Sequence, residues 1–388
     1  MIRKPLLPPL ALLGALAACF LSCSQYKPFD SVSFLRQEYA KQLGPQLGAQ
    51  LTVPFELDGE VRAALERHTQ PAPSELRTIN QVMKFIFEDL DLHYSLLPTR
   101  NAVATYRTRQ GNCLSFVNLF VGVARAKSLN PFYVEVTDYT RWNHRAGMVV
   151  SQGHIVAGMY LDGELKTYDF LPYRPKAYKK FNPIDDVTAA AHFYNNLGAE
   201  ALMDGDLAKA RELLTLATLD GDLAKARELL TLATRIQPKL DQALNNLGVV
   251  QARSGDWDGA LATYQKGLAL DAANPMILTN VARVYQQTGR ADEADKVLSQ
   301  VEGTNNTNPF FYVYQGEVAL SRGDEDKALD YMVKALRLDS EAPEVHVGFV
   351  KVYLAVGDME KARHHLERAL QLDATNPEAL RFATMLGK

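Results

Sequence analysis

Cysteine is scarce in this 388-residue chain: there are three, Cys19, Cys23 and Cys113. Three thiols so unevenly spaced cannot build a disulfide framework or a four-ligand zinc site. An excess of charge is missing too, with 42 Lys and Arg against 45 Asp and Glu and a net charge of −3. A general nucleic-acid binder would carry a basic surplus, so no nucleic acid is expected among the partners. The chain has neither a Gly-rich phosphate loop nor a cluster of His and carboxylates, so neither a cofactor nor a metal is expected. Beyond residue 23 no apolar run is long enough to cross a bilayer. What is present is an ordinary globular composition, 47% apolar and 22% charged, at a length that suits two or three domains.

The first 18 residues read as a signal peptide. Met1-Ile2-Arg3-Lys4 is a short basic region, and Leu6 to Ala18 is a nearly unbroken apolar run. That run is shorter than the roughly 20 residues of a membrane span. It ends in Leu16-Ala17-Ala18-Cys19, which resembles the bacterial lipobox. The resemblance implies that Cys19 is lipidated, with Cys23, after Phe20-Leu21-Ser22, as the alternative. Residues 19–50 would then be anchor and linker. It further implies a protein of the bacterial cell envelope, lipid-anchored at the outer membrane and facing the periplasm.

The C-terminal half is periodic. Gly221, Gly255, Gly289, Gly323 and Gly357 recur every 34 residues, and Ala226, Ala260, Ala294, Ala328 and Ala362 follow each by five. Pro275, Pro309, Pro343 and Pro377 mark unit starts. Glycine allows a tight turn between two helices, and alanine lets them approach closely. This period resembles the tetratricopeptide repeat (TPR). Five units fit 191–376, and 377–388 would cap the open end of an all-α solenoid. Such arrays curve into a groove that takes a protein or peptide partner. Asn196, Asn246 and Asn280 are placed to hydrogen-bond a peptide backbone there, although Asn at this place is also a common packing residue.

The first unit is too long. Asn195-Asn196-Leu197-Gly198 and Asn245-Asn246-Leu247-Gly248 lie 50 residues apart, one period and 16 more. The surplus is a duplication (203–218 and 219–234), with DGDLAKARELLTLAT running from Asp204 and again from Asp220. Both copies carry the same apolar face, so both are expected to be helices, with the first copy paired to the helix at 192–203, turning at Gly205, and the stack offset near Leu219-Asp220.

Residues 51–190 carry the chemistry. Ser74 opens a helix with Leu76, Ile79, Val82, Met83 and Ile86 on one face. Cys113 opens another, with Phe116, Val117, Phe120, Val121 and Ala124 at helical spacing. A helix N-terminus favours a thiolate, and its free N–H groups stabilise an oxyanion, with Gln110 as a side-chain candidate for the same task. Residues 132–136 read as a strand, as does 148–160; Asp162-Gly163 turns the chain, and Leu165 to Phe170 returns. His154 and Asp169 come side by side across that hairpin, so Asp169 can hold His154 as the base for Cys113. His144, in an Arg- and Trp-rich loop without such a carboxylate, is the lesser base.

A cysteine opening a buried helix, then a His and an Asp on adjacent strands, resembles the transglutaminase-like superfamily of papain-type cysteine enzymes. The matching pieces are GNCLSFVNLFVGVARAKSLNPFYVEV, GHIVAGMYLDG and KTYDF. The resemblance implies an α+β domain in which Cys113 is the nucleophile, His154 the base and Asp169 its orienter, acting on a protein or peptide substrate. The chain departs from the family in Ile155-Val156 after the His and in Asp169-Phe170-Leu171, where Asp-Pro-Thr is frequent. The alternative is an inactive envelope scaffold that recruits partners through its repeats. If Cys19 is the anchor, the full chain partitions with membranes and into detergent, and Cys19→Ser releases it or leaves it unprocessed. Association that survives Cys19→Ser but not Cys23→Ser would move the site four residues on.

Overall fold

The computed structural model describes residues 32–145, 148–170, 180–211, 218–302 and 307–387. The signal segment, Cys19 and Cys23 lie outside the described residues.

The N-terminal part is α+β. Its helices are α1 (Val32–Leu43), α2 (Pro45–Gln50), α3 (Gly59–His68), α4 (Glu75–Lys84), α5 (Ala102–Thr108) and α6 (Cys113–Ala126). Four of them start where a short polar side chain accepts the N–H three residues on: Asp58, Ser74, Asn101 and Asn112. In α4 the expected face is buried at Ile79 and Val82, but Leu76, in the first turn, is exposed. Two short parallel strands, β1 (His93–Tyr94) and β2 (Gln110–Gly111), lead into α6. Helix α6 is buried along its whole middle, from Leu114 to Ala124.

It packs on a four-stranded antiparallel sheet in the order β5-β4-β3-β6, made of β3 (Phe132–Arg145), β4 (Met148–Leu161), β5 (Glu164–Tyr168) and β6 (Phe181–Ile184). Alternation along the strands sends Tyr133, Ile155 and Ala157 into the core around α6, while Phe132, Val134, Val136 and Val156 form a separate cluster. The expected loop around His144 is not a loop. Strand β3 continues past an irregularity between Val136 and Thr140, and His144 pairs with Val149. The β-branched and aromatic residues of Thr137, Tyr139, Thr140 and Trp142 favour that extended ribbon over a loop.

The C-terminal half is a helical solenoid: α7 (Asp186–Arg211), α8 (Thr218–Ile236), α9 (Asp241–Arg253), α10 (Trp257–Leu268), α11 (Pro275–Gln287), α12 (Ala291–Glu302), α13 (Pro309–Ser321), α14 (Glu325–Leu338), α15 (Pro343–Ala355), α16 (Met359–Leu372) and the cap α17 (Pro377–Met385). Gly255, Gly289, Gly323 and Gly357 turn successive hairpins with φ between +75° and +79°, the left-handed region that glycine enters without strain. Gly221 does not turn; it lies inside α8. Gly205 does not turn either, because α7 runs through it to Arg211. The start of the first copy therefore lengthens α7 and does not fold back on it.

Close packing identifies the copy that belongs to the stack. A Cβ on Gly248 would meet the ring of Tyr264, and one on Gly316 would meet Met332, in each case sixteen residues on. A Cβ on Gly198 would meet Leu230, thirty-two residues on, which is the regular step with one copy added. The second copy thus takes the normal second-helix place against α7, and Ala199, Leu202, Leu223, Ala226 and Leu230 share one core cluster. Deleting residues 203–218 restores the sixteen-residue step and leaves these contacts in place. Thermal unfolding of that variant is expected to show a Tm equal to or above the parent; a variant that aggregates would show the extra turns of α7 to be required.

Candidate active site

Cys113 is the first residue of α6 and is half-buried. Asn112 caps the helix by accepting the Ser115 N–H at 3.0 Å. That bond leaves the N–H groups of Cys113 and Leu114, which have no intrahelical acceptor, at the helix mouth. His154 stands on β4 opposite Val136, at the edge of the pairing irregularity of β3. Such irregularities re-aim a side chain. The ring is 2% exposed, and its Nε2 lies 3.0 Å from Asp169 Oδ1. Its second partner is the Cys113 side chain. With Nε2 engaged by the carboxylate, Nδ1 is the nitrogen left for the sulfur.

Asp169 follows the last residue of β5, and its neighbour Phe170 holds it there. The Phe170 ring is buried, stacks on Phe87 at 5.5 Å and sits edge-on to Phe116 at 6.2 Å. Phe120, one turn further along α6, packs on it at 5.7 Å. The aromatic side chains of α6 therefore fix the strand end that carries the carboxylate. Burial works against a charged ring at His154. The hydrogen bonds to Asp169 and Cys113, with the negative charge of both, outweigh it and push the imidazole up to about 9.

Of the other expected site residues, Gln110 is on β2 and exposed. His144 is on β3, on the two-stranded extension beyond the level of His154. Asn246 and Asn280 are fully buried and bonded to other asparagines: Asn246 Nδ2 to Asn195 Oδ1 at 2.9 Å, and Asn280 Nδ2 to Asn245 Oδ1 at 2.8 Å. They join neighbouring helices of the array, whereas Asn196 is half-buried outside that ladder. Sequence reasoning missed the cap role of Asn112 and its support by Thr99, although a polar residue directly before an apolar helical run was the signal for the cap. Among the described residues no group of three His, Cys, Asp or Glu is placed to hold a metal ion, and no helix is long and apolar enough to cross a membrane.

Comparison with known proteins speaks to the array. Tetratricopeptide-repeat family models match residues 220–275, 251–309 and 319–386. The chain is similar to the Photosystem I assembly protein Ycf3 of Prochlorococcus marinus: 29% identical over 128 residues in strain MIT 9313, covering 31% of this chain and 66% of that one. In strain NATL1A it is 30% identical over 111 residues, covering 29% and 57%. The matches thus span 57% to 66% of the length of these two relatives. A thermophilic TPR protein of Thermus thermophilus is similar in structure, with a TM-score of 0.40 at 21% identity, over 49% of this chain and all of the other. The C-terminal half carries tetratricopeptide repeats, modules for binding other proteins.

The raised titration of His154 has a measurable sign. A ring that titrates above its ordinary 6.5 when folded adds stability that is complete below that value and is lost as pH rises through about 9. The Tm advantage of the wild type over His154→Gln is therefore expected to be largest near pH ~6 and to shrink toward pH ~10. An advantage that grows with pH would mean that the buried ring is neutral.

Proposed function

We propose that this chain is a membrane-anchored, exported cysteine enzyme of the transglutaminase-like, papain-type class, acting on amide or peptide bonds and using its repeats to bind proteins. One observation carries the reading: a single buried imidazole is bonded on one side to a carboxylate and on the other to a thiol that opens a buried helix. Supporting it are the antiparallel sheet against which α6 packs and the order Cys113, His154, Asp169 along the chain. Phe170, where the family often has Pro, takes on the seating of the carboxylate.

In this mechanism the Cys113 sulfur attacks the carbonyl carbon of the substrate amide. The oxygen takes the negative charge and faces the N–H groups of Cys113 and Leu114, with Gln110 as an additional donor. His154 gives its proton to the departing amine, and the C–N bond breaks to leave a thioester on Cys113. Water or a second amine then attacks the thioester carbon while His154 takes its proton, and the C–S bond breaks to release the acid or the new amide and return Cys113 as the thiolate beside the protonated ring. Asp169 holds the ring in one tautomer throughout.

A second reading is favoured by the relatives, which are named as assembly proteins. Here the first domain is an inactive platform, and the lipid-anchored chain recruits protein partners through its repeats. Thiol chemistry separates the two. For the enzyme, iodoacetamide is expected to alkylate Cys113 at pH ~6 about 10- to 100-fold faster than a free cysteine, with His154→Ala returning it to the free-thiol rate. Alkylation of wild-type Cys113 at or below the free-thiol rate supports the scaffold.

A further inference from the structure

The first helix of the array carries a residue that its own repeat does not explain. Val250, Val284, Val318 and Val352 recur at one place in four successive units, 34 residues apart, and all are buried. Each lies two residues after the position held by Gly248 in its unit. Counted the same way from Gly198, that place in α7 is Glu200, which is only 8% exposed. A carboxylate in a place that suits valine is unfavourable unless it is hydrogen-bonded. Glu200 is bonded, and its partner lies 101 residues away: Oε1 accepts the N–H of Thr99 at 2.7 Å and its hydroxyl at 2.5 Å.

We propose that Glu200 is a positioning residue for the nucleophile, acting through Thr99 and Asn112 on the helix end at which Cys113 stands. The proposal rests on the cysteine-enzyme reading. Its logic is one of donors and acceptors. A carboxylate only accepts, so the Thr99 hydroxyl must spend its single proton on Glu200. The Thr99 oxygen is then left to accept, and it takes Asn112 Nδ2–H at 2.7 Å. An amide held by its nitrogen on that side turns its oxygen to the helix. There Asn112 Oδ1 accepts both the Ser115 N–H at 3.0 Å and the Ser115 hydroxyl at 2.9 Å. The Ser115 oxygen in turn accepts the Arg100 N–H at 2.8 Å. Remove the carboxylate, and the Thr99 hydroxyl is free to donate toward Asn112, whose Nδ2–H then keeps only its longer bond to the Leu96 carbonyl, at 3.3 Å. A flipped amide would then face the Ser115 N–H with its own N–H, donor against donor, and α6 would lose its cap one residue before Cys113.

The test uses the full chain and reads Tm and the pH profile of Cys113 alkylation by iodoacetamide. Glu200→Val restores the repeat's own residue but leaves the buried Thr99 N–H unpaired and the cap of α6 weakened, so it is expected to lower Tm by only a few degrees, the chain still folding, while slowing alkylation at pH ~6 about tenfold or more and moving the profile toward that of a free thiol. Glu200→Gln keeps an oxygen acceptor and is expected to retain most of the wild-type rate. Thr99→Val breaks the same chain from the other side and should reproduce the loss, which serves if Glu200→Val does not fold. Wild-type alkylation rates and profiles in Glu200→Val, or in Thr99→Val where that variant stands in, overturn the proposal. A wild-type Cys113 no more reactive than a free thiol overturns the enzyme reading itself, whatever the variants do.

Discussion

The arrangement of the site depends on how α6 is held at its two ends, and both ends are held by α7. At the N-terminus the link is Asn112 to Thr99 to Glu200. At the C-terminus Arg125 makes a two-bond ion pair with Asp186, at 2.6 and 2.9 Å, with the guanidinium also over the Phe55 ring. From Asn112 to Arg125 is thirteen residues and from Asp186 to Glu200 is fourteen, so at 1.5 Å per residue both spans are about 20 Å. Two spans of matched length, one on each helix and joined end to opposite end, can take only one register. The middle of α6 holds the same register, since a Cβ at Gly122 would run into the Phe55 carbonyl and Asn118 accepts the buried Tyr133 hydroxyl at 2.9 Å. A buried ion pair contributes little net stability, but it excludes alternatives by leaving an unpaired charge in each of them.

That role for α7 bears on the duplication. The first copy enters the chain downstream of Glu200 and of the Gly198 contact with Leu230, so α7 is lengthened without disturbing either. Running helix through Gly205 costs about 1 kcal/mol relative to alanine, and the added backbone hydrogen bonds and good helix formers such as Leu207, Ala208 and Lys209 offset it. The insertion begins at the far end of α7, and the near end carries the constraints.

How much of this was legible follows from the range of each interaction. The repeat showed itself because glycine turns and alanine contacts are local and recur. Cys113, His154 and Asp169 were legible because helix onset and a hairpin turn place them without knowledge of the rest of the fold. Which copy of the duplication joins the stack was not, since the two are identical over fifteen residues and only the packing of Gly198 against Leu230 separates them. Thr99 and Glu200 meet across 101 residues, beyond any periodicity. Even so, the glutamate was visible as the exception in a column of valines. The asparagines of the array were found, but their type alone did not tell a groove residue from one that bonds the next helix.

Those asparagines extend the same constraint outward. Asn280 on α11 bonds Asn245 on α9, Asn245 bonds its neighbour Asn246 at 3.1 Å, and Asn246 bonds Asn195 on α7. Five residues along α7 comes Glu200, and from there the contacts run through Thr99 to the cap of α6. Each amide in the ladder has a donor end and an acceptor end, so each fixes the rotation of the helices it joins as apolar packing alone does not. The first three units of the array are therefore set in register by polar contacts that end one residue before Cys113. A separate repeat domain on a linker would need none of this. The chemistry of the buried groups ties the array to α6, with α7 belonging to both the first domain and the repeats.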